Sequence, residues 1–152
     1  MDAFYRCKSG YLKIKYTDGA VCGISITERI DSENNPSGLS DSAFAQLCEY
    51  LDGRRKSFDF PLRIPATTPF REKVWRELCN IPYGETRTYS QIAAAVGNPK
   101  ACRAVGGACN KNPLWIAVPC HRVIGSDGSL TGYEGGLDIK RELLELERRH
   151  SK

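Results

Sequence analysis

The sequence predicts an α+β protein in two modules, a small α/β module over residues 1–66 and a helical module with a helix-turn-helix over residues 67–152. Three observations carry this. Apolar and polar residues alternate on both sides of Asp18-Gly19, as in a hairpin. A proline-bounded stretch from Pro65 to Pro69 separates that half from the next. Beyond it, two short helical patterns flank a glycine, the spacing of a helix-turn-helix.

In the first module, Leu12, Ile14 and Tyr16 alternate with Lys13 and Lys15, and Cys22, Ile24 and Ile26 continue the pattern after the turn. Residues 31–38 are polar with Asn, Pro and Gly and read as a loop. Ser40 is placed to cap a helix whose Phe44, Leu47, Cys48 and Leu51 share one face, with Gly53 ending it. Phe58-Asp59-Phe60 reads as a short strand stopped by Pro61.

In the second module, Thr68 as N-cap with Pro69 at the first helical position opens a helix carrying Phe70, Val74, Trp75 and Leu78. Thr88-x-x-Gln91 has capping-box form and leads a helix through Ile92, Ala93 and Val96 to Gly97. Asn98-Pro99 restarts a helix through Cys109 that is poor in large side chains. Its Ala101, Ala104, Gly106, Gly107 and Ala108 permit close approach, either to another helix or to a DNA groove. Leu114 to Val118 reads as a strand-like run delivering Pro119-Cys120, and Ile139, Leu143, Leu144 and Leu146 mark a closing amphipathic helix that carries Glu147.

Composition narrows the function. With 41% hydrophobic and 26% charged residues, the 152-residue chain is a soluble globular type, and no apolar run approaches a membrane span. Met1 to Arg6 lacks a signal-peptide core, which predicts an intracellular protein of cytoplasm or nucleus without a membrane partner. Seven cysteines at irregular spacing, with no C-x-x-C and only His121 and His150 as histidines, argue against a disulfide framework or zinc knuckle. The net charge of +4 lies wholly in the second module: residues 1–66 carry nine basic and nine acidic residues, residues 67–152 thirteen and nine. Between Glu85 and Asp127 there are five basic residues (Arg87, Lys100, Arg103, Lys111, Arg122) and no acidic one, a composition suited to a polyanion.

Within that stretch stands Pro119-Cys120-His121-Arg122-Val123, a thiol beside an imidazole. A Cys-His pair on its own more often marks a structural cysteine, and adjacent residues of a strand point to opposite faces, so the pair needs a turn. Pro119 and Gly125 are placed to supply one.

The surrounding motifs go further. Gly84-Glu85-Thr86-x-Thr88-Tyr89-x-x-Ile92-Ala93 is followed by Gly97-Asn98-Pro99-Lys100-Ala101-x-Arg103-Ala104-Val105-Gly106, then Asn112-Pro113, Pro119-Cys120-His121-Arg122-Val123-Ile124 and Gly132-Tyr133-x-Gly135-Gly136-Leu137-x-x-Lys140. From about Thr67 to Glu147 the chain resembles the methylated-DNA–protein-cysteine methyltransferases, the O6-alkylguanine-DNA alkyltransferases of DNA repair. The resemblance implies a ribonuclease-H-like N-terminal α/β domain and a winged helix-turn-helix-like domain carrying the cysteine. It also implies single-turnover transfer of an alkyl group from O6 of guanine, with O4 of thymine as a secondary substrate, to Cys120, on a nucleotide flipped out of the duplex.

By the same resemblance His121 takes the thiol proton through a water and Glu147 orients the imidazole. Tyr89 assists departure of the guanine, and Asn112 ties the recognition helix to the active-site loop. Arg103 fills the vacated base stack. Lys100, Thr88, Ala104, Gly107 and Arg122 lie along DNA, the small residues in the minor groove. Val123, Tyr133, Glu134 and Trp115 border the substrate pocket, where an acidic Glu134 is unusual and bears on entry of bulky lesions. The chemistry calls for no cofactor. The histidine-free N-terminal half argues against the zinc site of certain relatives. Lesion-containing duplex DNA is then the sole required partner of a monomeric, self-contained repair protein with no transcription-factor domain.

Three other readings are weaker. A non-catalytic lesion binder of this fold replaces the acceptor that Cys120 provides. A helix-turn-helix regulator has no use for the matching His121 and Glu147. A cysteine hydrolase needs an acyl pocket and an oxyanion hole that the sequence does not display.

Overall fold

The computed structural model describes residues 1–129 and 137–151, Leu137 by its backbone alone. The chain forms two compact units, Met1–Pro65 with Pro113–Trp115, and Ala66–Asn112 with Ile116–Lys152.

The first unit is a three-stranded antiparallel sheet of β1 (Asp2–Cys7), β2 (Gly10–Thr17) and β3 (Ala20–Thr27), in that order, with α1 (Gly38–Leu51) packed on it. The hairpin forms at Asp18-Gly19, with Thr17 opposite Ala20 and Gly19 at φ 78°, a conformation that glycine adopts without a Cβ clash. Leu12 and Ile14 turn inward to meet Ala3, Phe4, Val21 and Ile24 in the core. Strand β1 shows no alternation in the sequence, because Ala3 and Phe4 are buried consecutively.

Two expectations for this unit are corrected. Helix α1 is capped by Ser37, three residues before the expected Ser40, and Ser40 is spent on the box: its hydroxyl receives the Ser37 N–H at 2.8 Å. The buried stripe is Ser40, Ala43, Gln46, Leu47 and Tyr50, and it leaves Leu51 exposed. Phe58-Asp59-Phe60 is not a strand, since the Asp59 N–H donates to the Gln46 side-chain oxygen (3.0 Å) instead of to a neighbouring strand. Strand β3 is bridged in parallel by Leu62 and Leu114, the latter through Ile24 N–H to Pro113 O at 2.8 Å.

The second unit is mainly helical. Helix α2 (Pro69–Leu78) opens at Thr68, whose side chain accepts from Arg71 N at 3.2 Å, a cap worth about 1 kcal/mol. A two-residue strand β4 (Arg87–Thr88) leads into α3 (Tyr89–Ala95), where the expected Thr88/Gln91 capping box is present in both directions. Helix α3 ends in a Schellman motif: Gly97 at φ 87° donates to Ala94 O and Asn98 N to Ala93 O. Asn98 is thereby used to stop α3. Helix α4 accordingly starts later than the sequence predicted, at Cys102, and runs to Asn110 with no side-chain cap at Ala101. Helices α2, α3 and α4 pack on one another around Val74, Trp75, Leu78, Ile92, Ala93, Val105 and Ala108, and the Trp75 indole N–H donates to Ala108 O at 2.8 Å.

The run from Leu114 to Val118 is not a strand. Ile116 sits at φ 69°, which breaks any extended run and is strained for a β-branched residue. A 3₁₀ turn over Cys120–Arg122 follows, then β5 (Val123–Ile124), paired in parallel with β4, and finally α5 (Leu137–His150). Among the described residues no helix is long and apolar enough to cross a membrane.

Candidate active site

The turn that the Cys-His pair requires is built by Pro119. At φ −81°, ψ 63° it forms an inverse γ-turn, with Cys120 N donating to Val118 O at 2.8 Å, and the 3₁₀ turn continues with Arg122 N to Pro119 O at 3.0 Å. Cys120, His121 and Arg122 therefore fan out from one turn, and all three are buried.

Asn112 reaches this turn from the end of α4, where its own N–H bonds Cys109 O at 3.2 Å. Its side-chain amide donates to Val118 O at 2.7 Å and to Cys120 Sγ at 3.1 Å. Both partners accept, so the two amide hydrogens are committed and the thiol sulfur lies at the end of a fixed donor. A donor aimed at sulfur favours its thiolate over its thiol.

Helix α5 supplies the other side. Among its described side chains the buried stripe is Lys140, Leu143 and Glu147, at i, i+3 and i+7, so two of these three are charged. The Glu147 carboxylate accepts from His121 Nε2 (2.7 Å), Arg122 Nε (2.8 Å), Arg122 Nη2 (2.9 Å) and Gly84 N (3.2 Å). An ionised carboxylate only accepts, so the His121 proton is on Nε2 and Nδ1 is its basic nitrogen. Burial holds the His121 pKa below its ordinary value; Glu147 pulls upward, and the charges of Arg122 and Lys140 add to the lowering. His121 is consequently a neutral base near pH 7.

This fixes a pH dependence. Any reaction that uses neutral His121 as a base is expected to proceed fully above the unperturbed histidine value of about 6.5 and to fail as pH drops through the lower folded value, by about tenfold per unit. Stability follows the same direction, because below about pH 6.5 the unfolded chain takes up a proton that the folded chain refuses. Transfer rates and unfolding midpoints from pH 5 to 8 test both, and a rate that rises on acidification contradicts the assignment.

The remaining expected residues are placed as follows. Tyr89 is the first residue of α3 and half-buried, and the ammonium of Lys140 lies 5.7 Å over its ring. Thr88 caps α3. Lys100, Arg103, Ala104 and Gly107 are all exposed, the last three on the face of α4 opposite Val105, Ala108 and Cys109. A Cβ added to Gly107 would meet nothing within 4 Å, and one on Gly106 only Tyr89 Cε1 at 3.9 Å. Packing within the protein thus does not explain why these positions are bare.

Val123 is buried in β5. Trp115 belongs to the first unit, where its backbone N–H donates to Ile24 O at 3.1 Å. Tyr133 and Glu134 lie outside the described residues.

Arg122, expected along DNA, requires correction. Its guanidinium is buried on Glu147, donates from Nη1 to Ile81 O at 2.6 Å and lies 5.6 Å over the Tyr83 ring. Burying a charge is tolerable only against such partners, which is why it faces inward. Lys140 ends the last of the motifs and carries no expected role. Its signal was positional, a charge on the apolar stripe of an amphipathic helix.

Residues 69–149 match the sequence family described as 6-O-methylguanine DNA methyltransferase, DNA binding domain. A methylated-DNA–protein-cysteine methyltransferase of Methanosarcina barkeri is 59% identical over 105 residues, 69% of this chain and 66% of that protein. The chain therefore aligns with slightly under two thirds of that relative's length. The crystal structure of the O6-methylguanine methyltransferase of Mycobacterium tuberculosis superposes with a TM-score of 0.88 at 38% identity, covering 99% of this chain and 94% of that one. A structure of the same organism's protein in complex with DNA gives 0.88 at 40% identity, covering 98% and 93%. A buried cysteine, its amide donor and an imidazole backed by a carboxylate thus lie within a matched region that runs from α2 to α5, and the chain belongs to the O6-methylguanine-DNA methyltransferase family.

Proposed function

We propose that this chain repairs O6-alkylguanine in duplex DNA by transferring the alkyl group irreversibly to Cys120. The arrangement at Cys120 carries the reading: a thiol that accepts from Asn112, on the same turn as a neutral histidine whose far nitrogen is held by Glu147. The thiol proton passes to His121 Nδ1, directly or through one water. The sulfur then forms a bond to the alkyl carbon as the bond from that carbon to guanine O6 breaks. Tyr89 protonates or hydrogen-bonds guanine N3, so the base leaves without full negative charge. The product is a thioether, which water does not readily hydrolyse, and one event consumes one protein.

DNA engagement is assigned to α3, the glycine turn and α4, read as the helix-turn-helix of a winged domain, with the first unit read as ribonuclease-H-like. The exposed face bearing Arg103, Ala104 and Gly107 suits the minor groove, and Lys100 adds charge near the phosphates. Arg103 enters the stack in place of the flipped nucleotide. A substrate pocket bordered by Val123, a monomeric state and an intracellular location complete the proposal. The DNA complex of the tuberculosis relative supports it.

Intact-protein mass spectrometry tests it. With excess duplex containing one O6-methylguanine, the expected result is a gain of about 14 Da that stops at one equivalent. Continued turnover, or lesion binding without any mass gain, would sink the proposal.

A further inference from the structure

Arg122 departs most from its expected place, and its surroundings point to a task at the relay. Glu147 is 1% exposed, and a carboxylate so enclosed favours picking up a proton unless cations and donors hold it ionised. Arg122 provides a planar fork, Nε on Oε1 and Nη2 on Oε2, and Ile81 O fixes the fork from behind. The protonation of Glu147 decides that of the histidine. An ionised Glu147 obliges His121 to carry its proton on Nε2. A protonated Glu147 can donate to Nε2 instead, which moves the ring proton to Nδ1 and leaves no lone pair for the thiol.

We propose that Arg122 is a positioning residue: its fork holds Glu147 as a carboxylate and thereby fixes His121 in the Nε2–H tautomer, with Nδ1 as the base for Cys120. This rests on the alkyl transfer proposed above. The other titratable groups near the pair are Tyr83, whose ring lies under Arg122, Cys79 at the end of α2, Lys140 on α5, and Cys120 itself. Among them Lys140 is a cation, which lies over the Tyr89 ring and acts on His121, Cys109 and Cys120. The role also explains why an arginine stands here: lysine supplies the charge but cannot engage both carboxylate oxygens in one plane.

The chain has two histidines, so ¹⁵N-histidine labelling yields two imidazole patterns in an NMR spectrum, with His150, its Nδ1 2.8 Å from Leu146 O, as internal control. Wild-type protein is expected to show His121 as the Nε2–H tautomer from pH 8 to below 6. In Arg122→Met the pattern shifts to Nδ1–H, and methyl transfer at pH 7.5 falls by about 100-fold, the contribution of a general base. Arg122→Lys keeps the Nε2–H pattern but loses the fork, and transfers about tenfold more slowly than wild type. An Nδ1–H tautomer in the wild type overturns the proposal, as does an Arg122→Met protein with unchanged tautomer and transfer. Should Arg122→Met not fold, unchanged transfer in Arg122→Lys overturns it. If wild-type protein shows no transfer while its tautomer responds to Arg122 as described, the reading of function fails and the role of Arg122 stands.

Discussion

Cys120→Ser is expected to abolish alkyl transfer while leaving lesion binding in place. Serine preserves the turn, since the γ-turn and the 3₁₀ hydrogen bonds are made by backbone groups, and its hydroxyl can still accept from Asn112. What it lacks is an accessible anion: a thiol with an ordinary pKa near 8.5 is within reach of a histidine base, and an alcohol is not. The loss should be on the order of 10⁴-fold or more, as when a nucleophile is removed from a catalytic unit. The check is paired: no mass gain with O6-methylguanine duplex, and a fluorescence-anisotropy affinity for that duplex within a few-fold of wild type. Residual methylation at another of the seven cysteines would shift the assignment away from Cys120.

Glu147→Ala should have the largest effect on stability. Four donors converge on this carboxylate, two of them from a buried guanidinium. Removing it strands the Arg122 charge and the His121 N–H in a water-poor interior, which costs about 3–5 kcal/mol. Glu147→Gln keeps an acceptor oxygen and the side-chain shape, so its loss is smaller, yet it no longer neutralises Arg122. Urea unfolding of the three proteins gives the comparison, and an alanine variant within about 1 kcal/mol of wild type would show that the network relaxes onto solvent. Transfer should fall in both variants, because neither holds His121 with an anion.

Much of this was readable from local chemistry. The Thr68-Pro69 start of α2, the Thr88/Gln91 box and the Asp18-Gly19 hairpin are decided within four residues, and the sequence displays them. What was missed depends on partners distant in the chain. Strand β1 has no alternation of its own and exists through its register with β2. Arg122 sits in an acid-free stretch that invited a DNA contact, but its counter-ion arrives 25 residues later on α5. The site followed the same division. The structure brings Asn112 to Cys120 and Glu147 to His121, four residues that the motifs single out, whereas the buried fork and the lysine over Tyr89 needed three dimensions.

The bare face of α4 has a consequence for how the protein folds. Gly106 and Gly107 each cost about 1 kcal/mol relative to alanine, and a nine-residue helix without a side-chain cap is too short to persist in water. It stays helical because Val105, Ala108 and Cys109 are buried and Trp75 grips Ala108 O. The helix therefore has no private unfolding equilibrium: it melts when the core of its unit melts, and the amides of Val105 and Cys109 should exchange with solvent at the rate of global opening. The smoothness of this surface rests on rigidity borrowed from the core, so the groove entry proposed for it depends on cooperative folding of the whole unit.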